Sequence, residues 1–236
     1  MEVIKVLDIH KRFGKQAVLS DINLSLWEGE FLAFVGSNGA GKTTLLRLIS
    51  GLSRPTKGEV FIMGHNNREP KMINELLGVI HQYTGLPDFL KVKEFFNLEI
   101  RSRNVKPKAV KEAMELAQLM PYEDIMIREL SEGTKRKMVI VKALFHDPKI
   151  LLLDEPTVGL DPVIQNDIWN HLLSLKRKGI SAIIATNQLR EAEQLCDRVV
   201  FIKEGRIAEE EMVEKLKSES GDNSAESSML RLLERK

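Results

Sequence analysis

A chain of 236 residues can bury the core of one large domain or two small ones, and its 43% hydrophobic, 29% charged composition is that of a soluble globular protein. Its 35 basic residues against 34 acidic ones leave a formal charge of +1, which argues against a partner held by bulk charge, nucleic acid above all. One cysteine excludes an internal disulfide and a cysteine zinc cluster, the five histidines lack metal-ligand spacing, and no apolar run approaches the roughly 18 residues that span a bilayer. The N-terminus "MEVIKVLDIH" lacks the apolar stretch of a signal peptide, so the expectation is a cytosolic chain that meets a membrane only through a partner.

In chain order, "VIKVLDI" (3–9) and "INLSL" (22–26) alternate apolar with other residues, as half-buried strands do. "FLAFVG" (31–36) and "ILLLDEP" (150–156) are short continuous apolar runs bounded by breakers, which suits central strands of a largely parallel sheet. "TTLLRLISG" (43–51) has helical spacing and stops at Gly51. From about 83 to 147 the pattern is mostly helical, and the run Lys135, Arg136 and Lys137 reads as a solvated helix face. "PVIQNDIWNHLLSLKRKG" (162–179) predicts a long helix with Asp161 as N-cap, Pro162 in the first position and Gly179 beyond its end. "ISAIIATNQLREAE" (180–193) is a buried strand that ends in the polar pair Thr186 and Asn187, with a charged helical pattern directly after it. Cys196 reads as a small core residue. The whole predicts one domain over 1–217, an α/β core at about 1–82 and 148–217 with a helical insert at about 83–147. The polar, Ser-rich composition of 218–236 predicts a flexible tail, with room for one short helix at "MLRLLERK".

The chemistry begins at "GSNGAGKT" (36–43), which fits G-x-x-x-x-G-K-[ST] between a strand and a helix. Its glycines let backbone N–H groups turn inward around phosphate oxygens, and the new helix aims its N-terminus at the anion. Lys42 supplies a point charge to the β- and γ-phosphates, and Thr43 a hydroxyl to Mg²⁺. The second element is the acidic pair delivered by "ILLLDEP", at the strand end where ligands bind in parallel sheets. Asp154 would hold Mg²⁺, and Glu155 would orient or deprotonate the attacking water.

With these residues in hand, the chain resembles an ATP-binding cassette (ABC) ATPase over about residues 1–210. The discriminating segments are "ELSEGTKRK" (129–137) and "GLDP" (159–162), since the first two elements are shared by many nucleotide hydrolases. The resemblance implies an α/β P-loop NTPase core with a mostly parallel central sheet, an N-terminal antiparallel β region and an inserted helical subdomain. It also implies a head-to-tail dimer with ATP between one cradle and the other chain's signature segment, where Ser131 and Gly133 would face the γ-phosphate. Ser131 is in addition an N-cap by residue type. Glu132 and Thr134 depart from the family's commonest L-S-G-G-Q, and Glu132 brings negative charge toward a polyphosphate unless its side chain turns away. By resemblance Gln82 touches Mg²⁺ and links the core to the insert, Phe13 stacks on adenine and Asp161 lies at the dimer seam. Gly36, Ser37, Asn38, Gly39, Ala40, Gly41, Lys42, Thr43 and Thr44 form the nucleotide cradle. Asn187 occupies the position of the family's switch histidine, and its amide can donate toward the γ-phosphate but cannot hold a proton as imidazole does; the rival reading makes it the start of the next helix.

The function this implies is the ATPase subunit of a membrane transporter, using ATP and Mg²⁺, on the cytoplasmic face of the membrane. It would dock on separate membrane-spanning subunits through the insert and "YTGLPDFLKVKEFF" (83–96), beside a second ATPase subunit. "NGAGKTT", "KRKM" and "EAEQLCDRVV" are most similar to drug- and polysaccharide-exporter cassettes, with an importer second. The alternatives are a nucleotide-gated cassette with little hydrolysis, motivated by Glu132 and Asn187, and a soluble cassette ATPase outside transport.

Overall fold

The computed structural model describes residues 1–69, 73, 75–81, 85–103, 106–220 and 224–234. Two long strands, β1 (Glu2–Phe13) and β2 (Gln16–Trp27), open an antiparallel sheet that β4 (Lys57–Ile62) and β5 (His65–Asn66) complete in the order β2-β1-β4-β5. Both long strands run past their alternating cores because bulges interrupt the alternation. Asp8 (φ 49) and Asp21 (φ 56) take left-handed conformations, and the β1–β2 register shifts between Val6 and Ile9.

The central sheet contains β3 (Phe31–Val35), β6 (Leu77–Ile80), β7 (Ile150–Asp154), β8 (Ser181–Thr186), β9 (Arg198–Lys203) and β10 (Arg206–Met212), ordered β10-β9-β3-β8-β7-β6. All neighbours are parallel except β10 with β9. Every residue of β3, β7 and β8 is buried, the reason these strands read as unbroken apolar runs. Alternate residues serve opposite faces: Leu32 and Phe34 join the core under the antiparallel sheet and α1 (Lys42–Ile49), whereas Phe31, Ala33 and Val35 join the other one.

The insert carries α2 (Val92–Arg103), α3 (Pro107–Leu116) and α4 (Glu132–Leu144), with 3₁₀ turns at Met120–Tyr122 and Ile127–Glu129. It has its own apolar cluster, centred on Phe95, Phe96, Leu119 and Phe145. Helix α4 is shared: Met138 and Val141 enter that cluster while Val139, Ile140 and Ala143 pack on the central sheet.

Beyond β7 come α5 (Pro162–Arg177), α6 (Leu189–Leu195) and α7 (Val213–Glu219). Asp161 caps α5, its Oδ1 accepting from Val163 N at 3.0 Å and Ile164 N at 3.1 Å. The C-terminal stretch differs from a free polar tail. Residues Ala225–Glu234 form α8, with Ala225 and Met229 fully buried on the central-sheet core and Glu193 Oε1 accepting from Ala225 N at 3.2 Å. Two apolar side chains at helical spacing suffice to dock a segment whose composition is mostly polar.

Candidate nucleotide site

Strand register brings the sequence motifs to one edge. Val35 pairs with Thr186 and Asp154 with Ala185, so the loop at 36–41, the carboxylates of Asp154 and Glu155, and Asn187 all emerge at the carboxyl end of the sheet. The loop is tight. A Cβ at Gly36 would lie 2.2 Å from the carbonyl oxygen of Ile202, and Gly41 has φ 111 with Leu19 Cδ2 at 2.7 Å from where a Cβ would be. No side chain caps α1, which leaves its first amides turned toward the loop for an anion.

Lys42 is buried, and its Nζ donates to Gly36 O at 2.7 Å and Ser37 O at 3.2 Å. Burial pushes its ammonium below the usual range, while the charges of Glu155 and Asp154 oppose that shift. Thr43 Oγ1 donates to Asp154 Oδ1 at 3.0 Å. Burial pushes the Asp154 carboxyl up, against the Thr43 hydrogen bond and the charges of Arg47, His81 and Lys42. Glu155 is raised in the same way, by burial, while the charge of Lys42 and the nearby backbone N–H of Asn187 pull the other way. Its Oε2 is buried with no hydrogen-bond partner among the described residues.

Glu155 is also a left-handed residue, φ 48, with its N–H donating to Ala185 O at 2.8 Å. Asn187 is exposed, and its Nδ2 approaches Asn38 Oδ1 of the loop at 3.5 Å. It does not cap the following helix. The N-cap of α6 is Gln188, whose N–H donates to Thr186 Oγ1 at 3.0 Å.

The donor set fits a hard divalent cation. Thr43 and Asp154 present adjoining oxygens, and a cation's charge beside them would favour the ionised carboxylates that burial disfavours. Gln82 lies outside the described residues. Phe13 is 56% exposed at the β1–β2 turn, so it is no core residue; Lys11 Nζ sits 4.8 Å over its ring. Val18 and Leu19 of the same hairpin line Gly41, which puts the turn on the loop's side of the molecule.

The structure does not join Ser131, Gly133 and Asp161 to this cradle. Ser131 is exposed and caps α4, its Oγ accepting from Thr134 N at 3.2 Å. Gly133 is held against α5, where a Cβ would come within 2.6 Å of Ile164 Cδ1. Glu132 turns to Lys135 Nζ at 3.0 Å, which partly neutralises the charge that sets this segment apart.

The basic run after the signature is not a solvated face. Arg136 is 5% exposed, and its guanidinium donates to Pro156 O and His81 O, both at 2.7 Å, to Glu155 O at 2.8 Å and to Asp154 O at 3.0 Å. Behind it Glu191 is fully buried, accepting from Thr157 Oγ1 at 2.6 Å and Trp169 Nε1 at 3.1 Å. Reading by residue type passed over both. Arg136 shares a helical stripe with Val139, Ile140 and Ala143, and Glu191 stands four residues before the buried Leu195, a periodicity that marks both as inward-facing.

A mostly parallel α/β sheet with this loop at its carboxyl edge defines a P-loop nucleotide-binding domain. A family model described as ABC transporter matches residues 19–158, more than half of the sequence, and the chain belongs to that family of ATP-binding cassettes. It is 36% identical over 211 residues to the Nod factor export ATP-binding protein I of Burkholderia lata, covering 86% of this chain and 68% of that one. It is also 36% identical over 213 residues to the bacitracin transport ATP-binding protein BcrA of Bacillus licheniformis, covering 88% and 69%. Among solved structures, an ATP-binding subunit of an ABC transporter superposes with a TM-score of 0.85 at 25% identity, covering 98% of this chain and 99% of that one. A dimeric cassette in a post-hydrolysis state, bound to ADP and Pi, superposes at 0.80 with 27% identity, covering 89% and 98%.

Proposed function

We propose that this chain binds and hydrolyses ATP with Mg²⁺ to power export through separate membrane-spanning subunits. The observation that carries the reading is the constellation of Thr43 with the buried Lys42, Asp154 and Glu155, with Thr43 Oγ1 and Asp154 Oδ1 3.0 Å apart and the buried Glu155 Oε2 without a hydrogen-bond partner among the described residues. Thr43 and Asp154, with Gln82, would hold Mg²⁺, which when bound offsets negative charge on the phosphates. Lys42 and the amides of the loop bind the polyphosphate. Glu155 orients the attacking water through its carboxylate, its backbone is tied to Ala185 O, and the Asn187 amide donates toward the γ-phosphate.

The exposure of the remaining motif residues supports dimerisation. Ser131, Glu132 and Asp161 are exposed, as is the apolar pair Val158 and Val163, so a second cassette can cover this edge and complete both sites. Among the described residues no helix is long and apolar enough to cross a membrane. Docking on the membrane-spanning subunits would use the insert, a reading supported by Phe89, which is 74% exposed, and by Tyr122 and Ile125, which also stand in solvent. The export direction rests on the relatives that are named for Nod factor export and bacitracin transport.

The test is Glu155→Gln. It should abolish hydrolysis, leave Mg-ATP binding intact and let ATP-bound dimers accumulate in sizing or light-scattering runs. Normal turnover in that variant would falsify the role given to Glu155.

A further inference from the structure

Arg136 sits five residues after the helix cap Ser131, on the one helix that belongs both to the insert and to the central sheet. Its four described acceptors are all main-chain carbonyls, at the ends of β6 (His81) and β7 (Asp154, Glu155, Pro156). In an extended strand successive carbonyls point to opposite sides, so three in a row cannot reach one guanidinium. The left-handed conformation of Glu155 breaks that alternation. A non-glycine residue adopts it at a cost in free energy, and surrounding contacts must hold it there. Charge-assisted hydrogen bonds are the strong ones, and a planar fork is matched to several fixed acceptors at once. Close by, the buried Glu191 accepts from the hydroxyl of Thr157, immediately beyond the clamped carbonyls.

We propose that Arg136 is a positioning residue: its guanidinium holds the backbone turn that aims the Glu155 carboxylate, and thereby fastens the signature helix to the hydrolytic end of the site. This rests on the reading of Glu155 as the group that orients water. Arg136 touches neither loop 36–43 nor the carboxylate oxygens through these four bonds, so its removal should spare nucleotide binding and spoil the hydrolytic step. Displacement of α4 would be transmitted to Glu155 through the same bonds, over barely more than one helical turn from Ser131.

The experiment uses the full chain with Arg136→Gln and Arg136→Lys. Equilibrium Kd for Mg-ATP is measured with a fluorescent analogue, and single-turnover hydrolysis at saturating Mg-ATP. Arg136→Gln should keep Kd within about twofold and slow hydrolysis by about 100-fold, the scale of an ångström's misplacement of a reacting group. Arg136→Lys keeps the buried charge but gathers its donors on one atom, and should recover part of that loss at unchanged Kd. Parental turnover in Arg136→Gln overturns the proposal, and so does a rise in Kd that matches the fall in rate in both variants. Should Arg136→Gln fail to fold, Arg136→Lys decides: a lower rate at parental Kd supports the proposal, and a parental rate overturns it. Glu155→Gln separates the two layers. A dead Glu155→Gln beside a fully active Arg136→Gln removes only Arg136, whereas an active Glu155→Gln removes the reading of Glu155 beneath it.

Discussion

At the carboxyl edge of the central sheet, Lys42, Asp154 and Glu155 are buried and tied into the chain on several sides. Along the edge that carries Ser131, Glu132, Val158, Asp161 and Val163, side chains stand in solvent, with Ser131 and Asp161 capping helices and Glu132 in a surface ion pair. The first region is preassembled: its charges are desolvated before any ligand arrives, so each contact is strong and each loss expensive. The second keeps its polar groups hydrated at little cost and gains from them only when another surface covers it. One chain thus has a finished half, buried and tied together, and an open half that stands in solvent.

Breaking the finished half gives the largest effect. Lys42→Ala removes a buried ammonium that donates to Gly36 O and Ser37 O of the loop and that, in the proposed function, serves the phosphates. Mg-ATP affinity should fall at least about tenfold, some 1.4 kcal/mol, with turnover lost, as read by nucleotide titration and phosphate release. Unchanged affinity would remove the cradle assignment.

Asn187 tests the seam between the halves, because it is exposed beside Asn38 of the loop yet lies two residues past Ala185, whose carbonyl accepts from Glu155 N. Asn187→Ala leaves the backbone N–H in place and deletes only the amide, so single-turnover hydrolysis should slow by about tenfold, roughly 1.4 kcal/mol of transition-state stabilisation. Asn187→His should keep or raise the rate. A parental rate in the alanine variant would reduce this residue to a connector.

The open edge should show its effect in stability before activity. A Cβ at Gly133 would meet Ile164 Cδ1 at 2.6 Å and Cγ2 at 2.8 Å. Gly133→Ala should therefore cost on the order of 1 kcal/mol in denaturant melts, with part regained on adding Ile164→Val. No change in midpoint would mean that α4 and α5 are less closely engaged than the structure shows.

The smallest effect concerns the cleft between insert and core, about 350 Å³, lined by Lys137, Asp167 and His171. Burial, with the charges of Lys178 and Lys137, holds the His171 imidazole below its ordinary range. The unfolded chain then takes up this proton first, so the contribution is full above the unfolded value of about 6.5 and is lost as pH falls through it toward the lower folded value. Thermal melts from about pH 7 to 5 should show His171→Gln losing less stability than the parent. Parallel curves would show that this histidine titrates alike in both states.

Local chemistry was legible. Gly36 and Gly41 mark a tight anion loop, and unbroken apolar runs mark β3 and β7 because buried parallel strands have no polar face. The cap and proline at Asp161–Pro162 set the start of α5. Strand lengths were less legible, since bulges at Asp8 and Asp21 interrupt the two-residue period by which a strand is read. The docked helix α8 was obscured because its buried residues are few and sit in polar sequence.

By itself, then, the sequence determined the loop, the acidic strand end and the signature, since each is a run of a few residues whose backbone needs and chemistry are local. Only the tertiary structure decided that Arg136, set between two lysines, is buried while its neighbours pair at the surface with Glu132 and Asp167. It alone decided that Glu155 is held in a left-handed turn and that Asn187 meets the loop at Asn38. The physical reason is that burial and carbonyl direction are set by packing between segments far apart in the chain: Arg136 contacts strand ends 55 and 18 residues away, and Asn187 a loop 149 residues away.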